Sequence, residues 1–138
     1  MANLVFLKPS EEADIEFIMQ YDHHICPTEL ENKIRLGQVF TVRSGSKPCG
    51  FLRYSLFWDN TPFLNMIYLL EEYRGNGFGK LALASWERKM QLDGYELVLT
   101  SSLSSESAQS FYRKQGYQDC GSLLLDKEPL EIIFSKKI

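Results

Sequence analysis

Glu71-Glu72-Tyr73-Arg74-Gly75-Asn76-Gly77-Phe78-Gly79-Lys80 breaks a chain otherwise written in regular apolar periods. Its three alternate glycines stand between two such periods. Before them, Phe63 to Leu69 reads as a strand; after them, Phe78, Ala82, Trp86 and Met90 recur every four residues while Lys80, Glu87, Arg88 and Gln91 face elsewhere, which reads as an amphipathic helix. Glycine adopts positive φ and lets backbone approach a ligand closely. N–H groups converging at a helix N-terminus also meet a dipole that favours negative charge. A phosphate suits such a loop, with Arg74 and Lys80 adding full charges. The same residues fit a tight strand-to-helix turn with solvated basic side chains, and the glycines alone leave both readings open.

Upstream, Leu4 to Leu7 predicts a short strand, and Pro9-Ser10-Glu11-Glu12 a helix start with Ser10 as N-cap. Ile15, Ile18 and Met19, with Asp22 on the same spacing, give a short helix ending near Tyr21. Pro27 opens a second helix that runs to about Leu36, with Gly37 as its stop. Val39 to Arg43 and Cys49 to Trp58 form a hairpin around Ser44 to Pro48. Asp59-Asn60-Thr61-Pro62 then turns the chain into the strand Phe63 to Leu69. Downstream, Gly94 stops the amphipathic helix and Leu97 to Ser101 reads as a buried strand. Ala108, Phe111, Tyr112 and Gln115 set the face of a last helix closed by Gly116, and Tyr117 to Leu125 and Leu130 to Ser135 finish as strands. The order predicts a mixed α/β sheet with helices on its faces. The helix between the fourth and fifth strands supplies the crossover that parallel neighbours require.

The 138 residues suit one domain, spanning 1–138, and 44% hydrophobic with 24% charged residues is a globular composition. A formal charge of −3, with both signs scattered, argues against a nucleic-acid partner. No apolar run approaches the roughly 18 to 20 residues that cross a bilayer. The start Met1-Ala2-Asn3-Leu4 lacks a basic segment and a cleavage site, so a cytoplasmic protein without a membrane partner is expected. Cys26, Cys49 and Cys120 have none of the paired spacing of zinc sites or disulfide scaffolds and read as reduced thiols, for packing rather than catalysis. The only histidines are the adjacent His23 and His24, so no metal is expected.

Spacing separates the phosphate loops that compete for the central segment. A dinucleotide fingerprint needs Gly-x-Gly-x-x-Gly, but Gly75, Gly77 and Gly79 are evenly spaced. A nucleoside-triphosphate loop needs a glycine five residues before Gly79 and Ser or Thr after Lys80, where this chain has Arg74 and Leu81. Arg74-x-x-Gly77-x-Gly79 instead resembles the acyl-CoA pyrophosphate motif of the GNAT superfamily of N-acetyltransferases. Ser105-Glu106-Ser107-Ala108-Gln109-Ser110-Phe111-Tyr112-Arg113-Lys114-Gln115-Gly116-Tyr117 resembles the family's Asn-x-x-Ala-x-x-Phe-Tyr-x-x-x-Gly-Phe segment, and the element order resembles the family fold over about residues 3 to 136. The resemblance implies a GNAT-type, mostly antiparallel sheet of six or seven strands. About four helices would flank it, and its fourth and fifth strands would splay apart.

It also implies acetyl-CoA as acetyl donor and residue roles to match. Leu69 would offer backbone groups to the pantetheine, and the amides of Arg74, Gly75, Asn76, Gly77, Phe78, Gly79 and Lys80 would bind the pyrophosphate. Tyr112 matches the family's tyrosine that protonates the departing thiolate, a role open to a phenol; it also fits an ordinary packed aromatic beside Ala108 and Phe111. Ser105 stands where the family commonly has an Asn touching the pantetheine. Arg113 and Lys114 read as solvated helix charges, with a contact to the nucleotide phosphate as the less favoured alternative. The reaction implied is direct attack of an amine on the acetyl carbonyl, without a covalent enzyme intermediate. Some relatives carry a carboxylate base on the fourth strand, and Phe63 to Leu70 contains none. Asn65 could hold a water there but not take a proton. Trp58, Asp59 and Asn65, with Tyr21, His23 and His24, come from elements that shape the acceptor side in relatives, and suit a small amine or a peptide amine. The alternative reading is a non-catalytic acyl-CoA sensor or partner-binding module. Exposed terminal strands are compatible with a homodimer.

Overall fold

A computed structural model describes residues 5–138. The element order is β1 (Val5–Pro9), α1 (Ile15–Tyr21), α2 (Pro27–Arg35), β2 (Val39–Ser44), β3 (Lys47–Phe57), β4 (Thr61–Leu69), α3 (Phe78–Leu92), β5 (Leu97–Leu103), α4 (Ala108–Lys114), β6 (Gln118–Leu123) and β7 (Glu131–Lys137). Short 3-10 turns at Glu12–Asp14 and Glu71–Tyr73 precede α1 and α3. The seven strands form one mixed sheet in the order β1-β2-β3-β4-β5-β7-β6. β4 and β5 run parallel, with α3 as the crossover between them, whereas β1–β2, β2–β3, β5–β7 and β6–β7 are antiparallel. The predicted α/β class, strand count and four helices are all present. The start Met1-Ala2-Asn3-Leu4, and with it the expected beginning of the first strand, lies outside the described residues.

Two compact units divide the chain: one contains residues up to Tyr54 with Met66–Trp86, the other Ser55–Asn65 with Glu87–Ile138. In the first, Ile18, Leu30, Val39 and Phe51 are fully buried, and Phe17, Met66 and Tyr68 pack against them. Phe51 meets Phe17 edge-on at 6.4 Å and stacks on Tyr68 at 5.5 Å, so α1, β3 and the end of β4 share one aromatic contact series. The Ser10 hydroxyl is turned inward to Thr41 Oγ1 at 2.7 Å instead of capping a helix. The start of the helical segment is fixed by a capping box between Glu11 and Asp14. Asp22 ends α1 fully buried and is neutralised by Arg53 of β3, whose Nε donates at 2.7 Å. This pair holds α1 to the sheet, and loss of one partner would leave a buried uncompensated charge.

Gly50 of β3 sets the approach of the next strand. A Cβ there would collide with the Tyr68 carbonyl oxygen and lie 2.8 Å from Leu69 Cδ2. Only the missing side chain lets the end of β4 lie so close, and the Leu70 N–H then donates to the Cys49 carbonyl at 2.9 Å. The turn before β4 is shorter than the sequence suggests: Thr61 and Pro62 already belong to the strand, and Trp58-Asp59 make the bend.

In the second unit, β5 pairs with β7 along all of Leu97–Leu103, and β6 forms the edge with a bulge between Asp119 and Gly121. Phe134 is fully buried against Tyr112 at 6.0 Å. Tyr117 donates its phenol to Glu87 Oε2 at 2.7 Å, and Lys136 donates to Oε1 of the same carboxylate at 2.9 Å. Burial and the Glu87 carboxylate push the Tyr117 phenol far above its ordinary pKa. A folded-state pKa raised in this way gives stability that is fully present below the unfolded value, about 10, and is lost as pH rises beyond it. Urea unfolding at pH values from about 8 to 11 is therefore expected to show stability falling above about pH 10. Tyr117→Phe should fall less steeply, and an equally steep decline in that variant would contradict the assignment.

Candidate functional site

After Leu69, the glycine segment is built by successive local constraints. The 3-10 turn closes with Tyr73 N–H to the Leu70 carbonyl at 2.9 Å and Arg74 N–H to the Glu71 carbonyl at 3.1 Å. Arg74 is extended, and Gly75 and Gly77 then take φ of 77° and 78°. That is the left-handed region where a side chain is strained. An added Cβ at either glycine meets nothing within 4 Å, so conformation rather than crowding requires glycine there, and the loop's outer surface is open. Leu81 makes the first turn's bond to the Gly77 carbonyl at 3.1 Å, which leaves the N–H groups of Phe78, Gly79 and Lys80 without an intrahelical acceptor. The first turn of α3 contains no acidic residue. Fifteen residues of helix dipole thus end in open donors, with the exposed Lys80 beside them.

Arg74 behaves differently from the anion partner its position suggests. Its Nε donates to the Leu69 carbonyl at 2.9 Å and its guanidinium lies 5.1 Å over the Tyr68 ring, so the side chain folds back along β4 and steadies the strand end. Asn76 Nδ2 donates to the Arg74 carbonyl at 3.2 Å, which braces the loop from inside. The parallel ladder between β4 and β5 consists of Phe63↔Leu99 and Leu64↔Thr100, confined to the first half of β4, and this is the splay expected of these two strands.

In the second unit α4 places Tyr112 with its ring against Phe111, Tyr117 and Phe134, at centroid distances of 5.4, 5.6 and 6.0 Å. The residue is only 5% exposed. Burial raises the phenol's pKa above its ordinary value, Thr100 of β5 works in the opposite direction, and the Glu106 carboxylate adds to the rise. At neutral pH the proton stays on Tyr112. Thr100 donates Oγ1–H to the Leu64 carbonyl at 2.9 Å.

Ser105 stands exposed in the turn between β5 and α4, beside Glu106, whose carboxylate accepts the Leu103 N–H at 2.9 Å. Arg113 is held by Asp119 and Gln109 and lies 5.4 Å over Phe134, so its guanidinium braces α4 on the sheet. Asn65 donates Nδ2 to Ser55 Oγ at 2.9 Å. Trp58 is 78% exposed at the β3–β4 turn, against Phe57 at 4.6 Å. Trp58 and Asp59 have φ of 56° and 64°, and Asn60 N–H closes the turn on the Phe57 carbonyl at 3.2 Å. Tyr21 is stacked on Tyr68 at 5.1 Å and His23 and His24 are exposed. Sequence reasoning passed over Gly50, Thr100 and the partner of Asp22. Of these only Asp22 carried a signal, a carboxylate on the apolar spacing of α1.

The chain belongs to the GNAT family of acetyltransferases: the family model described as Acetyltransferase (GNAT) family matches residues 8–117. A search of curated protein sequences found no match. Among solved structures, the chain is similar to a GNAT-family acetyltransferase from Bacillus cereus, with 22% identity, a TM-score of 0.77 and 97% of each chain covered. It is similar to the PaiA N-acetyltransferase of Thermoplasma acidophilum in complex with coenzyme A, with 19% identity, a TM-score of 0.77 and 98% and 99% covered. A third similar structure is the ribosomal-protein-S18-alanine N-acetyltransferase of Escherichia coli, with 16% identity, a TM-score of 0.77 and 98% and 94% covered. Among the described residues, no helix is long and apolar enough to cross a membrane.

Two consecutive non-glycine residues at positive φ, one of them an exposed tryptophan, are unfavourable for stability. Replacing Trp58-Asp59 by Asn-Gly, through Trp58→Asn with Asp59→Gly, matches what a two-residue turn with both φ positive prefers. The double variant is expected to be more stable by about 1 kcal/mol in urea unfolding. A loss of stability would show that the turn is not strained.

Proposed function

We propose that this chain is an acetyl-CoA-dependent N-acetyltransferase, which transfers the acetyl group directly to a primary amine of a small molecule or a peptide in the cytoplasm. The observation that carries this reading is the open set of N–H donors at the start of α3, entered through two glycines at positive φ with free space outside them. These residues fit a diphosphate: the donors lack other acceptors, the dipole has the right sign, and Lys80 adds charge in a first turn that has no carboxylate. Similar structures determined with coenzyme A bound, such as PaiA, support the same assignment.

Acetyl-CoA supplies an activated acyl carbon and a thiolate leaving group. The amides of Gly75 through Lys80 hold its diphosphate, and the Leu69 backbone, steadied by Arg74, guides the pantetheine along β4. Tyr112 gives its phenolic proton to the sulfur as the carbon–sulfur bond breaks and the new carbon–nitrogen bond forms. An acceptor amine with pKa near 10 must arrive deprotonated or pass its proton to water. Asn65 Oδ1 is suited to hold that water, and Trp58 and Asp59 flank the acceptor. Positioning of the two substrates supplies most of the rate, which accounts for a site without a nucleophilic cysteine or a strand-four carboxylate.

Thiol release from acetyl-CoA, measured against polyamines, amino acids, aminoglycosides and peptides, tests the proposal. Turnover is expected on at least one amine. Tyr112→Phe should lower kcat by about 10²-fold with the KM for acetyl-CoA little changed. Gly77→Ala, which imposes a cost of roughly 1–2 kcal/mol on the left-handed loop, should weaken coenzyme A about tenfold by calorimetry. Tight coenzyme A binding with no turnover on any acceptor would overturn the proposal in favour of a binding module.

A further inference from the structure

Successive residues of a strand turn their N–H and C=O groups to opposite edges. The Leu70 N–H points to β3, where it meets the Cys49 carbonyl, and the Tyr68 carbonyl oxygen lies against Gly50 of the same strand. Leu69 therefore turns its own N–H and C=O to the other edge of β4, where the ladder to β5 has already ended at Leu64. An extended chain that carries amides, as pantetheine does, pairs with such an edge through main-chain hydrogen bonds. In the free protein the place of its amide donor is filled by Arg74, whose Nε donates to the Leu69 carbonyl at 2.9 Å.

Arg74 is lightly held there. Its side chain is exposed, its guanidinium rests 5.1 Å over the half-buried Tyr68 ring, and Nη1 and Nη2 donate to no described residue. Glu71 and Glu72 precede it closely, yet among the described residues no carboxylate forms an ion pair with it. A neutral carbonyl and a ring face are weak seats for a full cation compared with a diphosphate, which offers charge-assisted, two-pronged bonds. Arg74 is joined directly to Gly75, the first glycine of the loop, so rotation about its own side-chain bonds carries the guanidinium from the strand edge to the loop. We infer that Arg74 is a placeholder for coenzyme A: it caps the Leu69 carbonyl until a pantetheine amide takes that acceptor, and then turns to the diphosphate. The inference rests on the coenzyme A site proposed above. No covalent bond changes, since one N–H donor replaces another on the Leu69 oxygen. The end of β4 keeps its place when Arg74 leaves, because Gly50 and the Leu70–Cys49 bond hold it from β3 and Tyr68 stacks on Tyr21 and Phe51 at 5.1 and 5.5 Å.

The exchange acts with opposite sign on two ligands, and that tests it. Arg74→Met keeps an unbranched chain over Tyr68 and removes both the charge and the N–H. In amide NMR titrations, pantetheine should bind Arg74→Met about threefold more tightly than wild type, because no cap has to be displaced. Coenzyme A, followed by calorimetry, should bind the variant about tenfold more weakly. In the wild type, the Arg74 Nε–H signal, assigned by its loss in Arg74→Met, should shift with pantetheine and reach a different position with coenzyme A. A residue that only binds the anion would leave pantetheine affinity unchanged, and one that only braces the strand would weaken both ligands. Either pattern overturns the inference, as does an Nε–H signal that stays in place at saturating coenzyme A. Undiminished coenzyme A affinity in Arg74→Met overturns the turn toward the diphosphate. If Gly77→Ala binds coenzyme A as tightly as wild type, the diphosphate placement falls instead, and the pantetheine arm, which contains no phosphate, still decides the exchange at Leu69.

Discussion

The peptide N–H groups of the first turn of α3 cannot be satisfied by the helix, and the surrounding residues act to keep them open. Gly50 brings the end of β4 close against β3, and the Leu70 amide is tied to the Cys49 carbonyl, so the strand arrives at a fixed place. The 3-10 turn and two left-handed glycines then reverse the chain into the helix. No carboxylate in the first turn fills the donors from within. An acidic cap here would stabilise the helix by on the order of 0.5–2 kcal/mol and would occupy those donors. On the function proposed above, that forgone stability leaves the donors to a diphosphate.

The same trade recurs at smaller scale. Trp58 and Asp59 hold a left-handed turn that Asn-Gly would adopt more easily, and keep an exposed aromatic at its tip. Tyr112 carries a hydroxyl into an aromatic setting where Phe would pack as well. By contrast the Asp22–Arg53 pair and the Tyr117–Glu87–Lys136 group are closed networks whose members satisfy one another. Their work is to fix α1 and α3 on their own parts of the sheet.

Much of this was legible in the sequence because it is periodic. The four-residue spacing from Phe78 to Met90 gives α3 its start and its buried face, and Gly37, Gly94 and Gly116 end their helices at positive φ as expected. The element order and the two motifs sufficed for the family. Local signals misled where a residue's partner is distant. Ser10 has the chemistry of an N-cap and uses it across the sheet on Thr41; Pro62 looks like a turn and lies in β4. Arg74 reads as an anion ligand, yet its nearest acceptor is a carbonyl five residues earlier. Gly50 and Thr100 were invisible because a glycine in a strand and a threonine in a strand are both ordinary until the neighbouring strand is placed against them. Trp58, Asp59 and Asn65, proposed to flank the acceptor, are exposed side chains whose identity follows no period, so the acceptor was not legible in them.

The account turns on whether those open amides receive a diphosphate. Proton–nitrogen correlation spectra of the labelled protein, titrated with coenzyme A and in parallel with pantetheine, which lacks the diphosphate, address it residue by residue. The account predicts that coenzyme A moves the amide signals of Gly75, Gly77, Phe78, Gly79 and Lys80 most, and that pantetheine leaves them nearly still. Saturating coenzyme A that shifts other amides while these five stay in place would contradict it.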